Sequence, residues 1–129
     1  MSELKEGGTK ADGSKNLVQL LPVLALERIA QIFTFGAKKY SEWNWSKGIS
    51  YSRIYGALLR HLFAWYKGEK SDPESGQSHL YHAGCCIMML IEMEELRPDL
   101  DDRPIHYKTK DEKEITSQNQ LELFDGRNK

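Results

Sequence analysis

Two apolar segments joined by a short polar link constrain the fold of this chain more than any other feature. The segments cover about residues 50–68 and 77–96, and in each of them apolar residues recur at helical spacing over about four turns. The link between them contains Asp-Pro and Ser-Gly, two pairs that are typical of turns. The sequence therefore predicts a helical hairpin whose mouth is formed by the link.

A third helix is predicted before the hairpin. Pro22 is well placed to begin it, and the apolar residues that follow recur every three or four positions, so a helix over about 23–40 is expected. We predict an all-α fold, a small helical bundle of about three main helices with extended N- and C-terminal arms. The predicted limits are 1–16 for a flexible charged arm, 17–97 for the helical domain and 98–129 for an extended C-terminal tail.

Charge and apolar content exclude several classes of partner. The chain of 129 residues has the size of one domain, and its formal net charge of -1 gives no field that would attract nucleic acid or an acidic membrane. No apolar run approaches the roughly 20 residues that a membrane span needs. Residues 1–15 are polar and mixed in charge, so no signal peptide is expected. The predicted location is the cytoplasm, of its own cell or of a host.

Apolar surface predicts self-association. Residues 87–91 are apolar throughout, and three helices on one small chain leave more such surface than they can bury. We expect a homo-oligomer, a dimer or a tetramer, to complete the core. Cys85 and Cys86 precede this run; neighbouring side chains on a helix point about 100° apart and bridge poorly, so buried, reduced thiols are expected.

Histidines and acids are concentrated at the predicted mouth. His61 lies on the inward stripe of the first segment, and His79 and His82 are three residues apart and so share a face of the second. Imidazole with carboxylate suits zinc, manganese, nickel or iron, whereas carboxylates alone suit magnesium. The alternatives are histidines that bind phosphates, or histidines that serve only as caps and packing residues. The predicted metal ligands are His61, Asp72, His79 and His82, and the predicted base or additional ligand comes from Glu69, Asp72 and Glu74.

Two further groups of side chains suit a nucleotide. Trp43 and Trp45 lie in a polar loop, where they either plug the end of the core or form a wall that stacks a flat ring, and Asn44 between them offers an amide suited to a base edge. Arg53 and Arg60 are seven residues apart and share a helix face, either as phosphate contacts or as ordinary surface charges.

Several blocks in a fixed order resemble the phage dATP/dGTP diphosphohydrolase family, a relative of the all-α MazG-like nucleotide pyrophosphohydrolases. The resemblance covers roughly residues 10–96 and includes a charged N-terminal motif. The blocks are Lys10-Ala-Asp12-Gly-Ser-Lys15, Phe35-Gly-Ala-Lys-Lys-Tyr40, Asn44-Trp45, Arg60-His61-Leu-Phe-Ala-Trp65, Gly68-Glu69, Asp72-Pro-Glu74-Ser75-Gly76 and His79-Leu-Tyr-His82-Ala83.

The resemblance implies a divalent-metal-dependent enzyme that cleaves dGTP or dATP to the monophosphate and pyrophosphate. The metal would be magnesium, manganese, cobalt or zinc, and the partner a purine deoxynucleotide. Alternatives are a non-catalytic protein that sequesters a nucleotide, and a small structural protein with a histidine-rich metal site. The implied substrate-binding residues are Lys10, Asp12, Lys15, Lys38, Lys39, Trp43, Asn44, Trp45, Arg53 and Arg60.

The metal motif departs from that of typical MazG-like enzymes, which hold magnesium with Glu-x-x-Glu on one helix and Glu-x-x-Asp on the next. Here the second-helix position is centred on His61, and the third-helix motif is His79-x-x-His82. The site is therefore expected either to be rebuilt from histidine with the acids of the link, or not to be a magnesium site of the usual kind.

Overall fold

Three α-helices form a bundle in the described part of the chain. The computed structural model describes residues 5, 7–11 and 13–108, and over these residues it contains no strand. Predicted site residue Asp12 and the tail beyond residue 108 lie outside that part. The helices are α1 (Val23–Lys39), α2 (Tyr51–Tyr66) and α3 (His79–Leu96), with short 3-10 turns at Val18–Leu20, Asn44–Lys47, Pro98–Leu100 and Ile105–Tyr107. The predicted all-α bundle is confirmed.

The predicted hairpin is formed by α2 and α3, which run antiparallel and share the core. The start of α2 lies against the end of α3, because the Tyr51 hydroxyl contacts the carbonyl of Met93, and the later part of α2 lies against the start of α3, where His61 contacts His79. Apolar residues at helical spacing on each helix face the other. The buried members of this core are Tyr51, Ile54, Leu58, Ala83, Cys86 and Met93.

Helix α1 packs across α3 at a point where α3 carries a glycine. A Cβ atom at Gly84 would lie 2.7 Å from Cδ1 of Ile29, so any larger residue would force Ile29 to move. Ile32 is the buried residue of α1. Cys85 and Cys86 are buried and unbridged, and burial raises the pKa of Cys85 to about 12 and that of Cys86 to about 11.

The residues after α3 fold back onto the start of α2 and form what we call the closed end of the hairpin (Gly48, Tyr51, Ser52, Met93, Arg97 and Asp102). The Tyr51 hydroxyl is 3.0 Å from the carbonyl oxygen of Met93 and 3.2 Å from that of Arg97. These carbonyls lie at the end of α3 and also accept backbone hydrogen bonds from the N–H groups of Arg97 and Leu100, so the Tyr51 hydroxyl is a further donor at this helix end.

The start of α2 is capped by a residue that is distant in the sequence. Ser50 is the N-cap residue, as predicted among two candidates, but its side chain makes no capping hydrogen bond. Instead the backbone N–H of Ser52 donates to Oδ1 of Asp102 at 2.8 Å, and the Ser52 hydroxyl bonds to the same carboxylate. A negative charge is favourable at this position because the helix N-terminus carries partial positive charge.

Several large apolar side chains are exposed on the surface of the described part of the chain. On α3 these are Leu80, Ile87, Met88, Ile91 and Leu96, and the exposed fraction of Ile91 is 58%. The predicted oligomer stays a prediction. No helix in the described part of the chain is both long enough and apolar enough to cross a membrane.

Candidate functional site

The mouth of the hairpin consists of His61 on α2, the link 67–78, and the first turn of α3 with His79 and His82. Residues 71 and 78 pair across the link as an isolated antiparallel bridge. The N–H of Asp72 donates to the carbonyl of Gln77 at 2.8 Å, and the N–H of Gly76 donates to that of Asp72 at 2.7 Å. The link is therefore a tight turn rather than a free loop.

Local sequence explains how the turn is made. The carboxylate of Asp72 accepts a hydrogen bond from the N–H of Glu74 at 3.0 Å, the short-range contact that makes Asp a turn residue. Gly76 has a φ of +70°, which glycine adopts without steric cost. Ser78 then caps α3, since its side chain accepts from the N–H of Leu80 at 3.1 Å.

The three histidines meet at the mouth. The rings of His61 and His82 stack with centroids 4.5 Å apart and an interplanar angle of 10°. Nδ1 of His61 lies 2.8 Å from Nδ1 of His79. The exposed fraction is only 5% for His79 and 9% for His82, so these polar rings need partners within the protein.

Two residues of the link satisfy the buried rings. Nε2 of His79 is 2.8 Å from Oε1 of Glu69, and Nε2 of His82 is 2.7 Å from the hydroxyl oxygen of Ser75. Both ring nitrogens of His79 therefore have hydrogen-bonding partners. From α1, the ring of Phe35 meets His82 edge to face at 6.3 Å.

Three side chains form a group that has the composition of a metal site. His61, Asp72 and His82 each offer one ligand atom, and these atoms lie within 4.8 Å of one another. Nε2 of His82 is 3.9 Å from Oδ2 of Asp72, too far for a hydrogen bond between them. Two imidazoles and one carboxylate suit zinc, manganese or cobalt. The donor set thus fits a divalent ion, whereas the ligand role of His79 stays a prediction.

Burial shifts the protonation of the two candidate imidazole ligands. It lowers the pKa of His61, and the neighbouring His82 and His79 lower it further, while Asp72 acts in the opposite direction. Burial also lowers the pKa of His82, again against the effect of Asp72. A lowered pKa favours the neutral imidazole, which is the form that binds metal or accepts a proton.

The predicted cations lie at different distances from this group. Lys39, at the end of α1, forms an ion pair with Glu74 and so brings α1 to the mouth. Arg60 is exposed and adjoins His61 in the sequence, whereas Arg53 lies about 12 Å earlier along the axis of α2. Lys10, Lys15 and Lys38 are exposed.

The two predicted tryptophans have different surroundings. Trp45 packs against the α2–α3 core and meets the ring of Phe33 at 6.1 Å, so it closes the end of the core. Trp43 has an exposed fraction of 68%, and its ring lies 5.9 Å from that of Trp45. Asn44 is half-buried and begins the short 3-10 turn.

Sequence reasoning missed two features of the mouth. Ser75 was treated only as a turn residue, although a serine beside a histidine-rich helix start is a possible hydrogen-bond partner for an imidazole. A shallow depression beside Glu69 was also missed, although Trp65 lies one helical turn after His61 and so shares its face. The depression is lined by Trp65, Tyr66, Gly68 and Lys70.

Comparison with known proteins identifies relatives of the chain. The family described as dATP/dGTP diphosphohydrolase, N-terminal, matches residues 5–103. A dATP/dGTP diphosphohydrolase of Salmonella phage PMBT28 is 31% identical over 96 residues, which are 74% of this chain and 33% of that protein. The chain thus spans about a third of the length of the curated relative it matches. No solved structure matches it significantly.

Proposed function

The chain belongs to the dATP/dGTP diphosphohydrolase N-terminal family, and from this membership we propose that its hairpin mouth hydrolyses dGTP or dATP to the monophosphate and pyrophosphate with a divalent metal ion. The observation that carries the proposal is the convergence of His61, Asp72 and His82 within 4.8 Å. All three residues belong to the sequence blocks through which the chain resembles the family.

The reaction requires attack on the α-phosphorus. The oxygen of a water molecule forms a bond to that phosphorus, the bond to the bridging oxygen breaks, and pyrophosphate leaves with the bridging oxygen. A divalent ion held by His61, Asp72 and His82 would supply Lewis-acid polarisation of the phosphate oxygens when bound. The lowered pKa values of His61 and His82 keep both rings in the form that this role needs at neutral pH.

Carboxylates at the edge of the mouth are the proposed proton acceptors for the attacking water. Glu69 and Glu74 are both exposed, so solvent and substrate can reach them. Each uses Oε1 for a contact within the protein, Glu69 with His79 and Glu74 with Lys39. Asp72 is proposed as a ligand rather than as the base, because it is more enclosed and lies within the ligand group.

Cations around the mouth are proposed to offset the charge of the triphosphate. Lys39 is placed at the mouth by its ion pair with a residue of the link, whereas the guanidinium of Arg60 lies over Gly56, one helical turn toward the start of α2, and stays a proposed contact. Lys10, Lys15, Lys38 and Arg53 stay proposed contacts. For the base, exposed Trp43 offers a stacking surface near the end of α1, and Trp65 offers one beside Glu69.

Self-association is proposed as well. Ile87, Met88 and Ile91 lie exposed on one helix, and a second copy of the chain would remove their side chains from water. Light scattering should give a mass of at least two chains, and Ile91→Lys should lower it. A monomer in both proteins would contradict self-association without touching the proposed reaction.

The reaction is tested by incubating the purified protein with each deoxynucleoside and ribonucleoside triphosphate in the presence of magnesium, manganese, cobalt or zinc. Nucleotide products and pyrophosphate are resolved separately, and a chelator provides the metal-free control. Monophosphate and pyrophosphate in equal amounts from dGTP or dATP, abolished by the chelator, is the expected result. No turnover, with thermal stabilisation by the same nucleotides, would overturn hydrolysis and favour a sequestering protein.

A further inference from the structure

A chain of hydrogen bonds runs from an exposed carboxylate to one of the metal-ligand candidates. It passes from Glu69 to His79 at 2.8 Å and from His79 to His61 at 2.8 Å. We propose that this chain fixes the tautomer of His61, so that Glu69 and His79 are positioning residues that present its Nε2 lone pair to the metal. The inference rests on the metal site proposed above.

The direction of the first hydrogen bond follows from the chemistry of the carboxylate. An ionised carboxylate only accepts hydrogen bonds, so the contact between Glu69 Oε1 and His79 Nε2 requires a hydrogen on Nε2. A neutral His79 carries one N–H, and in that form its Nδ1 is an acceptor.

With a neutral His79, the second hydrogen bond has only one arrangement. Nδ1 of His61 faces the acceptor Nδ1 of His79 at 2.8 Å, and two lone pairs cannot face each other at that distance. Nδ1 of His61 must therefore carry the hydrogen, which leaves its Nε2 with a lone pair. A metal ion binds only the unprotonated nitrogen of imidazole, so Nε2 is the atom of His61 that can join Asp72 and His82.

Packing holds this arrangement in place. His79 is 5% exposed, so loss of either hydrogen bond would leave a polar atom without a partner in the interior. The stack of His61 on His82, with an interplanar angle of 10°, restrains the ring plane of His61. Metal-bound histidines in general donate their second N–H to a carboxylate, a carbonyl or water. Here that carboxylate acts through one additional imidazole.

The arrangement also links three parts of the chain. His61 lies on α2, His79 on α3 and Glu69 in the link, so the hairpin must close before the tautomer is set. An isolated imidazole has no such constraint. A ring held in the other tautomer, or a His79 that donates from both nitrogens, would leave a hydrogen on Nε2 of His61 and block metal binding there.

The tautomers are measured directly by two-bond ¹H–¹⁵N correlation spectra of the histidine rings in the metal-free protein. His61 is expected with its hydrogen on Nδ1 and His79 with its hydrogen on Nε2. Spectra that show the hydrogen of His61 on Nε2 would overturn the proposal. In Glu69→Gln the amide can donate as well as accept, so both rings should lose their single tautomer, whereas Glu95→Gln on the exposed part of α3 should leave the spectra of all three rings unchanged.

Zinc affinity, measured by calorimetry against a competing chelator, gives a second readout. Glu69→Gln should weaken binding about 10- to 100-fold, the usual effect of removing a partner of a metal ligand. Glu95→Gln should change it by no more than about twofold, as expected of a surface substitution. A wild-type protein that binds no divalent metal would overturn the proposed site together with this inference.

Two further outcomes separate this inference from the proposed function. If the wild type binds zinc and hydrolyses nucleotide while Glu69→Gln binds zinc equally well, the positioning role is overturned and the reaction stands. If Glu69→Gln loses turnover at unchanged zinc affinity and unchanged tautomers, the positioning role is overturned and Glu69 keeps only the proton-acceptor role proposed above.

Discussion

The two ends of the α2–α3 hairpin both join the helices through polar side chains, but the partners of those side chains differ. At the closed end, the Tyr51 hydroxyl bonds to backbone carbonyls at the end of α3, and Asp102 accepts a hydrogen bond from the backbone N–H of Ser52 in the first turn of α2. At the mouth, the contacts run from side chain to side chain: His61 to His79, His79 to Glu69, and His82 to Ser75. Such bonds are only about 10–15% of those in ordinary proteins. Contacts with the backbone therefore predominate between the helices at the closed end, and contacts between side chains predominate at the mouth.

The pKa values of the buried side chains also differ between the two ends. The Tyr51 hydroxyl is protonated and can donate at neutral pH, and burial raises its pKa further from that range. At the mouth, burial lowers the pKa of His61 and of His82. Both rings are therefore favoured in the neutral form, which keeps a nitrogen lone pair on each ring. This difference supports the proposal that the chemistry lies at the mouth, whereas the closed end stabilises the hairpin.

The largest expected effect is at the mouth. His82→Gln removes the nitrogen of a proposed metal ligand, while its amide can still bond to Ser75. Turnover should fall about 100-fold or more, because metal polarisation contributes several kcal/mol to such reactions. The free energy of unfolding should change by about 1 kcal/mol or less. Steady-state assays and urea unfolding measure the two quantities, and near-normal turnover would remove His82 from the site.

Glycine substitutions should instead lower the free energy of unfolding more than they lower turnover. Gly48 has a φ of +105°, and a Cβ there would lie 2.9 Å from Nη1 of Arg97, so Gly48→Ala should destabilise the closed end by about 1–3 kcal/mol while turnover per folded molecule is kept. Gly76 in the link has a φ of +70° with no atom near its would-be Cβ. Gly76→Ala should therefore cost only about 1 kcal/mol. Equal losses of unfolding free energy in Gly48→Ala and Gly76→Ala, measured by urea unfolding, would contradict this difference between the two ends.

A smaller effect is expected from pH. His61 and His82 have pKa values below their ordinary 6.5, so below about pH 6.5 the unfolded chain binds protons more readily than the folded one. Their contribution to stability is complete above that pH and is lost as pH falls toward the folded-state pKa values. Unfolding of the metal-free protein between pH 7.5 and 5.5 should show this loss, and His61→Gln should reduce it. A stability that rises on acidification would contradict the shifts.

Helical periodicity was sufficient to predict the helices. The helix expected over about 23–40 is α1, Val23–Lys39. Ser78 caps α3, as expected of a short polar residue that precedes an apolar run. The return of the chain after α3 could not be predicted, because Asp102 and Ser52 are 50 residues apart and no periodic pattern connects them. The family read from the sequence blocks is confirmed by the match over residues 5–103.

The candidate site was predicted only as far as spacing allows. A three-residue separation places His79 and His82 on one face, but the contact between His61 and His79 depends on how far α2 and α3 overlap, which packing decides. Likewise, the sequence left open whether Trp45 belongs to the core or to a pocket. Its contact with Phe33 depends on where α1 ends relative to the loop.

One matched pair of substitutions tests most directly whether the chemistry lies at the mouth. Asp72→Asn and Asp102→Asn make the same change at the two ends, and each asparagine keeps an oxygen that can accept the backbone hydrogen bond. Turnover of dGTP and dATP is measured for both variants and the wild type. We expect Asp72→Asn to lose turnover while remaining folded, and Asp102→Asn to retain it. Turnover that survives in Asp72→Asn but is lost in folded Asp102→Asn would contradict the assignment of the site.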